Sequence, residues 1–154
     1  MIWAATGHRP DRLGGYGADI EARLIAIADR WITEVEPAKV IIGMALGWDQ
    51  AVGNACLARG VPYVAAVPFI GQANNWPPES LAAYWRLLKK ASSIVTISDG
   101  PYTARAMQQR NRWMVDNCES VVALWDGFIT GGTANCIEYA LKKRRPIVNL
   151  WSRF

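Results

Sequence analysis

The sequence predicts an α/β fold: a doubly wound, mainly parallel sheet with helices on both faces, formed as one domain over residues 1–154. Three observations carry that expectation. Six short runs rich in valine and isoleucine recur along the chain. Stretches with helical hydrophobic period separate them. The runs are apolar almost throughout rather than alternating, as strands buried on both faces are. Strand–helix alternation of this kind closes into a parallel sheet through right-handed crossovers.

The runs are "IWAA" (2–5), "KVIIG" (39–43), "YVAAV" (63–67), "SIVTI" (93–97), "SVVALW" (120–125) and "PIVNLW" (146–151). After the first comes "ADIEARLIAIADRWI", where Ile20, Leu24, Ile27, Ala28 and Trp31 fall on one helical face and Asp19, Glu21, Arg23 and Arg30 point elsewhere. Further helices are expected over 49–59, 78–91, 103–118 and 133–144. The longest irregular stretch, "PFIGQANNWPP" (68–78), reads as a lid or rim loop.

Composition narrows the function classes. At 51% hydrophobic and 19% charged, the chain is expected to be compact, soluble and cytoplasmic. The opening "MIWAATGHRP" lacks the basic start and long apolar core of a signal peptide. No run approaches the roughly 20 apolar residues that a membrane span needs, so no membrane partner is expected. Cys56, Cys118 and Cys136 are widely spaced inside apolar helical stretches and read as buried thiols. With a single histidine and no clustered thiols, no metal site is expected. The net charge of +4 is mild, and "KKRRP" (142–146) closes a helix where cations complement its dipole. Nucleic acid is therefore not the expected partner.

In a doubly wound sheet, ligands sit outside the carboxyl ends of the strands, where strand order reverses. That edge receives "TGHRP" after the first strand, "GMALGWDQ" after the second, "SDGPY" after the fourth and "WDGFITGGT" after the fifth. Gly131 and Gly132 before Thr133 open a helix whose unpaired N–H groups can surround an anion. The chain contains neither G-x-x-x-x-G-K-[ST] nor a G-x-G-x-x-G after the first strand, so ordinary dinucleotide binding is not indicated and no cofactor is expected. In the second loop Asp49 reads as a helix N-cap with a ligand hydroxyl as a further partner. Trp48, Trp76 and Trp125 can stack on a base or pack in the core.

On the helix through "RAMQQRNRWMVDNC", Arg110 and Asn111 share a stripe with Met107, Met114 and Cys118. A charge on that apolar stripe needs a partner, because leaving it unpaired costs several kcal/mol. The partner is either a ligand anion or an internal acid, with Asp99 and Asp126 the acids in view.

The segments "TGHRPDRLGGYG", "GMALGWDQAVGNACLARG" and "RNRWMVDNCESVVALWDGFITGGTANCIEYA" together resemble the SLOG superfamily, in its YpsA- and YspA-like branches found in bacteria and phages. The resemblance runs from about residue 3 to 150. It implies a Rossmann-like fold and a pocket for a nucleotide or nucleotide-derived, ADP-ribose-type small molecule, held by Thr6, Gly7, His8, Arg9, Gly43, Gly47, Trp48, Asp49, Arg110, Asn111, Asp126, Gly131, Gly132 and Thr133. Such relatives often form dimers, which implies a homodimer or higher homo-oligomer.

The chain is also distantly similar to the Lonely Guy phosphoribohydrolases, whose helix arginine Arg110 matches. Their P-G-G-x-G-T-x-x-E pattern is incomplete here: Cys136 stands three residues past Thr133, and the nearest acid is Glu138. Two helix positions turn a carboxylate about 160° away. The expected function is therefore binding, to sense or sequester the ligand. The alternative is an N-glycosidic or phosphoribosyl hydrolase using His8, Asp126 or Glu138 as acid–base groups.

Overall fold

The computed structural model describes residues Met1–Phe154. Its strands are β1 (Ile2–Gly7), β2 (Lys39–Ile42), β3 (Tyr63–Phe69), β4 (Ser93–Ser98), β5 (Ser120–Leu124) and β6 (Ile147–Asn149). The helices between them are α1 (Ala18–Val35), α2 (Trp48–Arg59), α3 (Pro78–Lys90), α4 (Ala104–Asp116) and α5 (Gly132–Lys142). Short 3-10 turns lie at Pro10–Arg12 and Trp151–Arg153. All five strand pairings are parallel, in the order β4-β3-β2-β1-β5-β6. The fold is the Rossmann-like α/β arrangement. No helix is long and apolar enough to cross a membrane.

The helices divide between the two faces of the sheet, and the period-2 alternation of the strands shows how. Trp3, Ala5, Val40, Ile42, Tyr63, Ala65, Val122 and Leu124 point to the face covered by α1, α2 and α3. Their neighbours Ala4, Ile41, Val64, Ala66 and Val121 point to the face covered by α4 and α5. Both faces of β1, β2, β3 and β5 are thus dry, and burying each larger apolar side chain stabilises the fold by about 1.5–3 kcal/mol. On α1 the expected face holds: Leu24, Ile27, Ala28 and Trp31 are buried and Ile20 packs against them. Trp31 meets Trp3 edge to face at 5.3 Å. The thiols of Cys56, Cys118 and Cys136 are free and buried, and burial pushes the Cys56 thiol up to about 12 and that of Cys136 to about 11.

The edges depart from expectation. β4 carries Ile94, Val95 and Ile97 among serine and threonine, and none of its residues is fully buried; Ile94 is half exposed. Its place at the end of the sheet leaves it one neighbour, β3, and less helix above it. β6, the other edge, pairs over only Ile147–Asn149 and is likewise open.

The chain moves outward in one direction from β1 through β2, β3 and β4, then returns to place β5 on the other side of β1. The loops leaving β1 and β5 therefore diverge, and a crevice opens between them.

Candidate functional site

The end of β1 is set by its fit against α2. His8 donates its backbone N–H to Leu124 O at 3.2 Å, and its carbonyl accepts from Trp48 N at 3.3 Å. Trp48 lies on Gly7, where a Cβ would come within 2.4 Å of the indole. The indole has no exposed surface, so Trp48 is a core residue rather than a platform for a base. Gly47 takes a φ of +91°, and a Cβ there would sit 2.6 Å from His8 O. This glycine lets α2 begin directly beneath the β1 exit; it does not face the crevice.

From that joint His8, Arg9 and the turn to Arg12 enter a cavity of about 370 Å³. Thr6, Gly7, Asp49, Arg110, Asn111, Gly131, Gly132 and Thr133 share its wall. Residues from β1, α2, α4 and the β5–α5 loop, distant in sequence, thus meet at one place.

Arg110 is 5% exposed. Its Nη1 donates to Gly43 O at 2.5 Å and to Ala66 O at 3.4 Å, and its Nε donates to Asn111 Oδ1 at 3.0 Å. Every acceptor is neutral. The acids considered from sequence, Asp99 and Asp126, are not its partners; the carboxylate nearby is Asp49, and the two form no ion pair within 4.0 Å. Burial pulls Arg110 below its ordinary value, opposed by the charge of Asp49. Burial likewise raises Asp49 to about 6, opposed by the charge of Arg110.

Asp49 does not cap α2. Gly47 is the N-cap, and Asp49 Oδ2 turns back to accept from Ala45 N at 3.3 Å. Its Oδ1 is buried without a hydrogen-bond partner. Gly43 makes this crowding feasible: a Cβ there would lie 2.6 Å from Arg110 Nη1 and 2.8 Å from Asp49 Oδ2. Gly43 acts by what it lacks and stands behind the cavity wall.

Asp126 ties the two diverging loops together. Its Oδ1 lies 2.9 Å from His8 Nε2 and accepts from Phe128 N at 2.9 Å; its Oδ2 accepts from Arg12 Nη1 at 3.4 Å. The Phe128 N–H is the largest cause holding the Asp126 carboxyl below its ordinary value, and His8 adds to it. Arg12 also lies over the Phe128 ring at 3.9 Å. Asp126 is therefore behind His8, buttressing it.

The α5 N-terminus completes the cavity. Gly131, at φ +101°, is the N-cap, and no side chain caps the helix. The first intrahelical bond runs from Asn135 N to Gly131 O, so the N–H groups before it have no helical acceptor. Asn111 Nδ2 fixes this turn by donating to Gly132 O at 3.2 Å. Arg110 and the open helix start are thereby coupled through adjacent residues.

Glu138 falls elsewhere. It is exposed and lines a separate surface groove between α4 and α5 with Arg112, Tyr139 and Lys143. Trp76 packs against Tyr84, and Trp125 donates its Nε1 to Phe128 O; neither faces the cavity. Sequence reasoning missed Arg12, Tyr102, Met107, Gln108 and Asn135, which line the wall. Tyr102 lies in "SDGPY" (98–102), and the place of that segment after β4 is the signal that could have found it. Met107, taken as a core marker, faces the cavity and shows that the apolar stripe of α4 is shared between core and crevice.

Comparison with known proteins agrees with this architecture. A family model described as the YspA SLOG family (YpsA) matches residues 3–147. The chain is 32% identical to the uncharacterized SPbeta prophage-derived protein YoqJ of Bacillus subtilis (strain 168), over 80% of this chain and 81% of that one. Among solved structures it is similar to DNA processing protein A (DprA) of Streptococcus pneumoniae, with a TM-score of 0.64 at 17% identity over 94% of this chain. It also resembles Helicobacter pylori DNA processing protein A, described by its single-stranded DNA binding mode, with a TM-score of 0.67 at 17% identity over 96% of this chain. TM1055 has a TM-score of 0.62 at 16% identity over 96% of this chain. The chain spans 48% and 63% of the two DNA processing proteins and 72% of TM1055, and at these identities the likeness is one of fold. The chain belongs to the YspA SLOG family.

Proposed function

We propose that this YspA SLOG family member binds a phosphorylated small molecule of the nucleotide or ADP-ribose class in the crevice between β1 and β5. One observation carries the reading: a buried guanidinium, held by neutral oxygens alone, shares a cavity with an uncapped helix N-terminus. A phosphate on the Gly132–Thr133 N–H groups would supply the anion that Arg110 lacks, with Arg9 and Arg12 adding charge at the mouth. Asn111 holds the Gly132 turn of this wall in place.

Isothermal titration of the purified chain with inorganic phosphate, mononucleotides and ADP-ribose tests this. Binding by at least one phosphorylated compound, lost in Arg110→Met, is the expected result; silence across the panel overturns it. A gel shift with single-stranded DNA that weakens steeply with salt would redirect the site to nucleic acid, the ligand named for the Helicobacter protein.

A second reading rests on His8. It is 6% exposed, lines the same cavity and is oriented by Asp126 through Nε2. The Asp126 backbone N–H also meets Nε2 at 3.1 Å, and only the tautomer that instead donates Nε2–H to Asp126 Oδ1 leaves Nδ1 free as a general base in N-glycosidic or phosphoribosyl hydrolysis. Glu138 has no part in it, being outside the cavity. Release of free base from mononucleotides by the wild type, absent in His8→Ala and retained in Glu138→Ala, is the expected result; no release from a broad panel defeats this reading and leaves binding.

A further inference from the structure

A second cavity of about 480 Å³ lies on the opposite side of the His8–Arg12 segment, between the first turns of α1 and α3 and the side of α2. Pro10 and Gly47 form its inner wall, whereas His8 and Arg9 belong to the first cavity. The backbone of this segment therefore stands between the two spaces.

Its chemistry is unlike that of the first. Glu21 and Glu79 are its charged lining residues, and no lysine or arginine lines it. Ile20, Leu24, Leu46, Pro77 and Pro78 supply apolar walls. A phosphate would find no cation here and two carboxylates.

Within these walls lies Gln50, a carboxamide 7% exposed. Its Nε2 makes one long bond, to Met44 O at 3.4 Å, and no donor in the protein serves its Oε1. An amide whose Oε1 is claimed by no protein donor and is not sealed from solvent, and whose Nε2 keeps a free N–H, can read a neighbouring donor–acceptor edge. At the mouth stands Tyr16, 68% exposed, following Gly15 at φ +114° and preceding Gly17. Aromatic surface of that extent, on a glycine-flanked turn, is placed to cover a flat ligand.

We propose that this second cavity binds an unphosphorylated planar heterocycle of the nucleobase or nucleoside class, with Gln50 hydrogen-bonding its edge and Tyr16 covering its face. The volume is within the range of small-molecule sites, and apolar walls with few placed polar groups are their usual lining. The acidic rim excludes the phosphorylated form and admits a neutral or protonated ring. This site is independent of the anion cavity and of the function proposed for it.

The experiment is saturation-transfer NMR and calorimetry on the full chain with adenine, guanine, cytosine, uracil and their nucleosides. At least one is expected to bind, about ten-fold more weakly in Gln50→Leu, and more weakly also in Tyr16→Ala, a surface change that spares the core. Arg110→Met and saturating inorganic phosphate are expected to leave that affinity unchanged, and the matching 5′-phosphate to bind this site more weakly than its nucleoside. Absence of binding by every base and nucleoside overturns the proposal. So does binding displaced by phosphate or lost in Arg110→Met, which would assign it to the first cavity, and so does affinity unchanged in both Gln50→Leu and Tyr16→Ala.

Discussion

Two arginines in two seams of this molecule meet opposite circumstances. In the α1–α2 seam, Arg59 faces Asp29 in a two-pronged pair, Nε to Oδ1 at 2.7 Å and Nη2 to Oδ2 at 2.8 Å, half exposed to water. In the α4 crevice, Arg110 is almost wholly buried and rests on carbonyls. The first arginine is satisfied by the fold; the second is held in place but not neutralised. A fold that buries a cation without an ion pair tolerates a destabilising arrangement, and such arrangements persist where something outside the chain completes them.

The sharpest way to break that comparison is to remove each charge. Arg110→Met is expected to weaken phosphate-ligand binding about 100-fold, roughly 3 kcal/mol. Its melting temperature should fall modestly, since relief of the buried charge is offset by leaving Asn111 Oδ1 and the Ala66 carbonyl without their Arg110 donor and Asp49 without its nearby cation. A large fall in melting temperature would show that Arg110 is structural after all.

Next in size is the pH response of Asp49. Its carboxyl is raised from 3.8 to about 6 by burial. A raised folded value means that this group favours folding most below pH 4 and that the benefit is lost as pH rises through 6. The difference between pH 4 and 7 is on the order of 3 kcal/mol. Denaturant titrations should show Asp49→Asn flattening that slope. Asp126 works in the opposite sense: its carboxyl is lowered, so its contribution is present near neutrality and lost on acidification.

Gly43→Ala should act on the same arginine indirectly. The new methyl would overlap Arg110 Nη1 and Asp49 Oδ2. A stability loss of about 1–3 kcal/mol is expected from overpacking, together with weakened ligand binding; intact binding by calorimetry would show that the guanidinium can shift freely. Smallest is Arg59→Ala, where solvent screening of this exposed pair should leave thermal or denaturant unfolding almost unchanged and ligand affinity should not move.

Much of this architecture was legible from local pattern. Helix faces on α1 and α4 followed from i, i+3, i+4 spacing, and Arg110 and Asn111 stood out because they interrupted an apolar stripe. The Gly131–Thr133 helix start was readable because glycines before a helix leave N–H groups uncovered. Trp48 was ambiguous because an indole at a strand end is equally suited to core and surface; Gly7, more than forty residues away, decided it by offering a surface for the ring. Helical phase already turned Glu138 away from the position that the family pattern gives its acid, and the structure places it in a separate groove.

The sequence by itself determined the succession of strands and helices, the buried face of α1 and the loops that gather at one edge, because hydrophobic period and glycine chemistry act within a few residues. Strand order was left to the tertiary structure, and with it the exposure of β4, the pairing of His8 with Asp126, the approach of Asp49 to Arg110 and the separation of two cavities by one short segment. Those outcomes join residues tens to more than a hundred positions apart, and whether such side chains meet depends on how all six strands are laid side by side.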